Sequence, residues 1–416
     1  MKIVVADDIS DRGLEFLRRN GWEVVYLPKS GGKLEAEIVE ADGLVVRSAT
    51  EVTEELLGRC RKLRVVGRAG VGVDNVDLEA ATKKGILVMN TPGGNSVSVA
   101  EHTMALLTSL ARSIPRANAL LKEGKWPKKE LLGVELRGKV LGLVGLGRVG
   151  IEVVKRAQAF DMKVLAFDPY VSPRIAEDLD AALVGLEEVL AQSDFISLHA
   201  SLTPETEQLI NEKSLAKMKS GVRIVNCSRG EMVNEADLLA ALESGHVGGA
   251  GLDVFEIEPP PPGSPGAKLL AHPRVVATPH IAGSTEEAQE SVGLRIAEQI
   301  SEYLLEGISR SAVNLPPVSA EEFKKLDPYI QLGEKAGSFL AQMATGRMDH
   351  VRISYDGGLA ELKTHLVKSA VLKVILNVIL SEKANLINAG TIAEERGIVV
   401  EELRSTRRVA VSNSLG

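Results

Sequence analysis

Three residues late in the chain are of types that together could move a proton and steady a negative charge. They are Arg229 in Asn226-Cys227-Ser228-Arg229-Gly230, Glu258 in Asp253-Val254-Phe255-Glu256-Ile257-Glu258-Pro259, and His280 in Thr278-Pro279-His280-Ile281-Ala282-Gly283. Each has an ordinary use on its own, as a salt-bridge arginine, a solvated loop acid or a hydrogen-bonded histidine. Position sets them apart: each follows an apolar run that reads as a strand, so all three are expected at one edge of one sheet. Taking hydrogen from an alcohol needs a base for the hydroxyl proton, a cation for the developing oxyanion and a substrate carboxylate, and a group that sets the base's protonation state. His280, Arg229 and Glu258 supply these roles, and a carboxylate beside an imidazole favours its charged form and one tautomer.

Such chemistry requires a hydride acceptor, and an earlier stretch is suited to hold one. Lys139-Val140-Leu141-Gly142-Leu143-Val144-Gly145-Leu146-Gly147-Arg148-Val149-Gly150 is a buried-strand run ending in G-x-G-x-x-G, and helix-like Ile151-Glu152-Val153-Val154 follows. Gly145 permits the tight turn, Gly147 lets backbone approach a pyrophosphate, and Gly150 lets helix pack on strand; the helix N-terminus then faces the phosphates. A second strand, Lys163-Val164-Leu165-Ala166-Phe167-Asp168, ends in an acid where a ribose-binding carboxylate belongs, roughly 20 residues past the glycines. Asp168 would repel a 2′-phosphate, and Pro169-Tyr170 brings no arginine to rescue it, so NAD is favoured over NADP.

The elements that position these residues follow an alternating plan. Strands are expected at Ile3–Ala6, Glu23–Leu27, Gly43–Arg47, Leu63–Gly67 and Ile86–Asn90, then at Leu141–Gly145, Val164–Asp168, Phe195–His199, Arg223–Cys227, Gly249–Val254 and Val275–Thr278. Residues 96 to 122 read as one long helix opening at Ser96 or Ser98, and Ser284 with Glu287 reads as the cap of another running to about Glu306. The expected fold is α/β: two doubly wound parallel-sheet lobes, flavodoxin-like for substrate and Rossmann for NAD, plus a partial C-terminal α/β regulatory-type domain. The substrate lobe is expected to be discontinuous, 1–95 with 284–312, around a nucleotide lobe of 96–283; beyond the linker Asn314-Leu315-Pro316-Pro317, residues 320–416 form the third segment. In the first lobe Arg47 and Arg68 fall at strand ends, where two guanidinium groups favour an anionic ligand.

Composition narrows the classes. A length of 416 residues requires more than one core, and 44% hydrophobic with 25% charged residues is globular. The net charge of −7 gives no reason to expect nucleic-acid binding. Acids follow Met1–Ala6 at once and the run Val371–Leu380 is broken by Lys373 and Asn377, so a cytoplasmic protein without membrane segments is expected. Cys60 and Cys227 are too few for a disulfide framework, and His102, His199, His246, His272, His350 and His365 lack metal-ligand spacing; only His199 is placed near the cofactor.

Taken together, Gly145–Gly150, Asn226–Gly230, Asp253–Pro259 and His280–Gly283 resemble the D-isomer-specific 2-hydroxyacid dehydrogenases. Val46-Arg47-Ser48-Ala49-Thr50, Gly67–Asp77 and Asn90–Ser96 resemble, more narrowly, the branch that oxidises a phosphorylated 2-hydroxy acid on the route to L-serine. The resemblance implies that His280 is the acid/base, Glu258 its partner and Arg229 the carboxylate ligand. It implies Arg47 and Arg68 at the substrate phosphate, with Ser48 and Gly70, Val71 and Gly72 lining the site. Around NAD it implies Arg148 and Val149 at the pyrophosphate, Asp168 at the ribose, and Val71, Ala200, Cys227, Ser228, Arg229, Asp253, His280, Ala282 and Gly283 toward the nicotinamide half. Val71 and Ala200 stand where threonine is usual and Ser228 where alanine is usual, which removes a hydroxyl contact at the first two. Residues 320–416 resemble the start of the intervening regulatory domain of longer members, which an amino-acid-binding domain follows; the chain given stops before that module. The resemblance also implies a homodimer or homotetramer. Other readings are a reductase of an unphosphorylated 2-oxo acid such as glyoxylate or hydroxypyruvate, and an NADH-sensing corepressor-like binding protein.

Overall fold

The short apolar runs of the first ninety residues pair in parallel, because amphipathic helices between them carry the chain back across the sheet. The computed structural model describes residues 1–28, 33–344, 348–379, 384–406 and 413–416. Two compact units emerge, Met1–Gly94 with Gln289–Gly416, and Asn95–Ala288.

The first unit holds β1 (Lys2–Val5), β2 (Glu23–Tyr26), β3 (Gly43–Val46), β4 (Val65–Arg68) and β5 (Leu87–Met89), all parallel in the order β2-β1-β3-β4-β5. The order reverses between β1 and β3, which leaves a crevice beyond the carboxyl ends of those strands. Side chains alternate to the two faces. Ile3, Val5, Val45 and Val65 pack with Ile296, Ala297 and Ile300 of the helix Glu286–Glu306. Val4, Leu44, Val46 and Val66 meet Leu56, Leu57, Ala80 and Ala81 on the other face. The helix Asp11–Arg19 comes so close to Glu286–Glu306 that a Cβ on Gly13 would lie 2.6 Å from the Gly293 carbonyl oxygen. The same unit contains a smaller sheet, β14-β13-β15, from β13 (His350–Gly357), β14 (Val399–Ser405) and β15 (Asn413–Leu415). Its core of Tyr355, Val367, Val371 and Ile375 packs with Leu326 and Ile330 of the helix Ala320–Met343.

The second unit holds β6 (Val140–Val144), β7 (Lys163–Phe167), β8 (Ala182–Leu183), β9 (Phe195–Leu198), β10 (Val222–Asn226), β11 (Val247–Leu252) and β12 (Val275–Ala277). All pairs are parallel, in the order β12-β11-β10-β9-β6-β7-β8. The switch point lies between β6 and β9.

Three local expectations change. Residues 96–122 form two helices, Ser96–Arg112 and Ile114–Lys122, with Ser113 left-handed at φ 49° between them. Pro115 cannot donate to the Ala111 carbonyl, which accepts instead from Val134 N–H at 2.9 Å. The first helix opens at Ser96, as expected, with Asn95 as its N-cap. At the start of Glu286–Glu306 the side-chain cap is Thr285 rather than Ser284, its Oγ1 accepting from Ala288 N–H at 3.1 Å. The two-residue strand β8 is an addition to the six expected in the nucleotide lobe.

Candidate active site

At β6 the apolar strand ends at Val144, and the chain must turn through a space with no room for a side chain. Gly145 has φ 96°, and a Cβ there would lie 2.6 Å from the His199 carbonyl carbon beyond β9. A Cβ on Gly150 would strike the Gly145 carbonyl oxygen, whereas Gly147 faces open space. Arg148, Val149 and Gly150 form the first turn of the helix Arg148–Ala159, where backbone N–H groups lack intrahelical acceptors. Asp168, after β7, is tied to this loop: Oδ2 accepts from Leu146 N–H at 2.8 Å and Oδ1 from Tyr170 N–H at 2.9 Å. A glycine cradle, a helix N-terminus and a carboxylate beside it fit a dinucleotide with a free ribose 2′-hydroxyl.

The same sheet edge carries the candidate reactive residues. After β10, Asn226 organises the turn: its Oδ1 accepts from Ser228 N–H at 3.0 Å and its Nδ2 donates to the Arg229 carbonyl at 2.8 Å. The Ser228 hydroxyl donates to the Leu198 carbonyl at 3.0 Å, so serine is accommodated there by β9's last carbonyl. Gly230 lies against the Phe255–Glu256 backbone with no space for a Cβ, which brings the loop after β11 over Arg229's turn. In that loop Glu258 Oε1 accepts from Phe255 N–H at 3.0 Å, and Oε2 lies 2.7 Å from His280 Nδ1.

His280 sits in the left-handed region at φ 52°, a conformation that costs a non-glycine residue of order 1–3 kcal/mol and needs support from its surroundings. Asp253, 1% exposed, provides that support. Its carbonyl accepts from His280 N–H at 2.8 Å, and its carboxylate accepts from Ile281 N–H at 2.9 Å and Ala282 N–H at 2.8 Å.

The electrostatics follow from this geometry. The hydrogen bond to Glu258 raises the His280 pKa; burial opposes it, and the Arg229 cation also pulls it down. Burial pushes the Glu258 carboxyl up, but the His280 bond and the Phe255 N–H outweigh it and hold the acid below its ordinary value. In the neutral ring, donation from Nδ1 to Glu258 leaves Nε2 as the free base. Cys227 is buried with its thiol pushed up to about 12, which leaves it no nucleophilic role. His199 is partly buried, and the burial of its ring drives its pKa down to about 3.

One contributor had no sequence signal. His102, on the helix Ser96–Arg112, places Nε2 2.9 Å from Thr278 Oγ1 and 3.5 Å from Asp253 Oδ1, while Thr278 Oγ1 donates to Asp253 at 2.5 Å. A lone helical histidine between Glu101 and Thr103 belongs to no motif, and nothing local connects it to an aspartate 151 positions later. Among the described residues no cluster of three metal-ligating side chains occurs.

The other predicted contacts belong to the first unit. Arg47 and Ser48 follow β3 and line a cavity of about 710 Å³ beyond β1, β2 and β3, with Asp7, Asp8 and Thr50. Asp7 fixes the arginine's loop: Oδ2 accepts from Arg47 N–H at 2.6 Å and Oδ1 from Thr50 Oγ1 at 2.6 Å. Arg68 closes β4, and its guanidinium lies against Gly70, where a Cβ would collide with it. Val71 is 38% exposed, and its carbonyl accepts from Asn90 Nδ2 at 2.5 Å. Gly72 continues that loop.

Comparison with known proteins accounts for this arrangement. Residues 104–282 match the family model described as D-isomer specific 2-hydroxyacid dehydrogenase, NAD binding domain, and 325–415 match that described as D-3-phosphoglycerate dehydrogenase intervening domain. A D-3-phosphoglycerate dehydrogenase of Archaeoglobus fulgidus is 46% identical over 403 residues, 97% of this chain and 76% of that protein. The chain belongs to the D-3-phosphoglycerate dehydrogenase family. The enzyme of that name from Bacillus subtilis is 42% identical over 414 residues, 100% of this chain and 78% of its own length. Among solved structures, the TT0316 protein of Thermus thermophilus superposes with a TM-score of 0.68 at 38% identity, covering 75% of this chain and all of the other. Family membership makes the chain an NAD-dependent D-2-hydroxyacid dehydrogenase, with NAD as its cofactor. Among the described residues no helix is long and apolar enough to cross a membrane.

Proposed function

We propose that this chain oxidises D-3-phosphoglycerate to 3-phosphohydroxypyruvate with NAD, the first step of the phosphorylated route to L-serine. The observation that carries the chemistry is the His280–Glu258 pair at 2.7 Å, presented on a left-handed turn beside the Arg229 cation. His280 Nε2 takes the proton from the C2 hydroxyl, and the imidazolium that forms is held by Glu258. Arg229 binds the substrate carboxylate and orients C2. Gly145, Gly147, Arg148, Val149, Gly150 and Asp168 hold the NAD, which when bound supplies the acceptor for the C2 hydride. Ala200, Cys227, Ser228, Asp253, Ala282 and Gly283 flank its nicotinamide half, and Val71 contributes backbone alone.

Arg47 and Arg68 take the 3-phosphate, with Ser48, Gly70 and Gly72 beside them. Two guanidinium groups at adjacent strand ends, on loops joined by Asn75, support this assignment over a reductase of glyoxylate or hydroxypyruvate. The reading assigns substrate recognition to 1–95 with 284–312, cofactor binding to 96–283, and a third role to 320–416; the separate core around Tyr355 supports the last division. It also takes the enzyme to be a cytoplasmic homodimer or homotetramer. Trp126 at 81% and Leu132 at 93% exposure, with Ile114 and Leu121, give the nucleotide unit an apolar surface for self-association. The test is NAD reduction over a panel of D-2-hydroxy acids. The highest kcat/KM is expected for 3-phosphoglycerate; equal or higher values for D-glycerate or D-lactate would refute the substrate assignment.

A further inference from the structure

The helix Leu78–Lys83 is too short to be stable alone, and both its ends are held by other parts of the first unit. Its N-terminus grows out of the loop that follows Arg68. Asp77 caps it by accepting from Ala80 N–H at 2.9 Å, and Val76 bridges to Val52 in the loop that follows Arg47. Asn75 Nδ2 donates to the Arg47 and Thr50 carbonyls at 2.7 and 2.6 Å. The two arginine-bearing loops are thus fastened to each other and to the helix start.

The other end is gripped from 300 residues away. A helix's last carbonyls lack intrahelical donors. Here Asn385 Nδ2 donates to the Gly85 carbonyl at 2.7 Å and Asn388 Nδ2 to the Lys83 carbonyl at 3.1 Å. Their remaining side-chain oxygens lock the turn itself: Asn388 Oδ1 accepts from Asn385 N–H at 2.7 Å, and Asn385 Oδ1 from Ile387 and Asn388 N–H at 2.9 and 3.1 Å. Between them Ile387 is 9% exposed and belongs to the core of the first sheet, beside Ile296 and Ile300. Gly85, at φ 68°, lies so close to Asn385 that a Cβ would collide with its amide. Asn314 adds a third grip, donating to the Ile86 carbonyl at 2.9 Å.

We propose that Asn385 and Asn388 are positioning residues for phosphate recognition. By fixing the C-terminal end of the helix Leu78–Lys83, the turn of the C-terminal segment sets the loop pair that carries Arg47 and Arg68. The third segment then has a stated part in substrate affinity, with no contact to substrate of its own. The inference rests on the assignment of Arg47 and Arg68 to the 3-phosphate.

The test is steady-state kinetics of the full chain with Asn385→Ala and Asn388→Ala combined, beside Arg47→Ala with Arg68→Ala. In the asparagine variant the KM for 3-phosphoglycerate should rise by on the order of tenfold, and kcat and the KM for NAD should stay within about twofold. Hydrogen exchange at Asn75, Val76 and Asp77 should quicken. If the asparagine variant does not fold, Gly85→Ala loads the same contact from the other side and is read the same way. An unchanged KM for 3-phosphoglycerate, with exchange at Gly85 and Ile86 showing the grip released, overturns the proposal; so does a parallel loss in kcat and in the KM for NAD, which would mark general destabilisation. An arginine variant with an unchanged KM for 3-phosphoglycerate removes the phosphate assignment and this inference together, whereas a raised KM there with none in the asparagine variant removes only this inference.

Discussion

The two large parallel sheets treat their carboxyl ends differently. The seven-stranded sheet gathers Arg229, Glu258 and His280 through a chain of short internal hydrogen bonds anchored on the buried Asp253, and holds the histidine in a conformation it would not choose alone. The five-stranded sheet sets Arg47 at a broad cavity of about 710 Å³ and fastens the loops of Arg47 and Arg68 through Asn75. Proton transfer demands a fixed lone pair, so its residues are over-determined; recognition of a phosphate demands positive charge on a firm loop, and the side chains themselves can stay extended. On the proposed assignment, one fold plan, used twice, builds reactivity in one place and selectivity in the other.

The largest effect expected from breaking the reactive side is His280→Ala, which should lower kcat by roughly 10²–10⁴ while NAD affinity, measured by titration, holds. Near-normal turnover in a folded variant would remove the histidine from the mechanism. Arg229→Ala comes next: losing a charge-assisted bond to the substrate carboxylate costs about 1.5–3 kcal/mol, read as kcat/KM across all D-2-hydroxy acids alike. Asp168→Ala acts on the cofactor alone, narrowing the preference for NAD over NADP in KM ratios.

Glu258→Gln sharpens the electrostatic half of the comparison. The Glu258 hydrogen bond raises the His280 pKa, so oxidation in the wild type loses its base as pH falls through a value above the ordinary 6.5. Without the carboxylate charge that limb of the kcat/KM profile should move to lower pH; an unmoved limb would mean that another group titrates. His102→Leu should give the smallest change, a modest fall in kcat with the KM for 3-phosphoglycerate kept, because it acts through Asp253 and Thr278.

The sheet edge was legible because strand ends, the glycine spacing and Asp168 are local patterns that any parallel α/β sheet turns into neighbours. Glu258 and His280 could be placed on one edge from the strands before them, whereas their 2.7 Å pairing depends on how the loop after β11 folds over Gly230. Apolar periodicity continues past Pro115 and hides the break at Ser113, although the ring removes the backbone donor. Thr285 displaced Ser284 as cap by one residue, a distinction that backbone angles decide. His102 beside Asp253, and Asn385 beside Gly85, are contacts between residues distant in the chain that no period or motif encodes.

The division of labour is tested most directly by the ratio of kcat/KM for 3-phosphoglycerate to that for D-glycerate, in the wild type and in Arg47→Ala with Arg68→Ala. Each lost charge-assisted bond to phosphate is worth about 1.5–3 kcal/mol, so the ratio should collapse by at least roughly tenfold. A ratio that survives the double substitution would contradict the account.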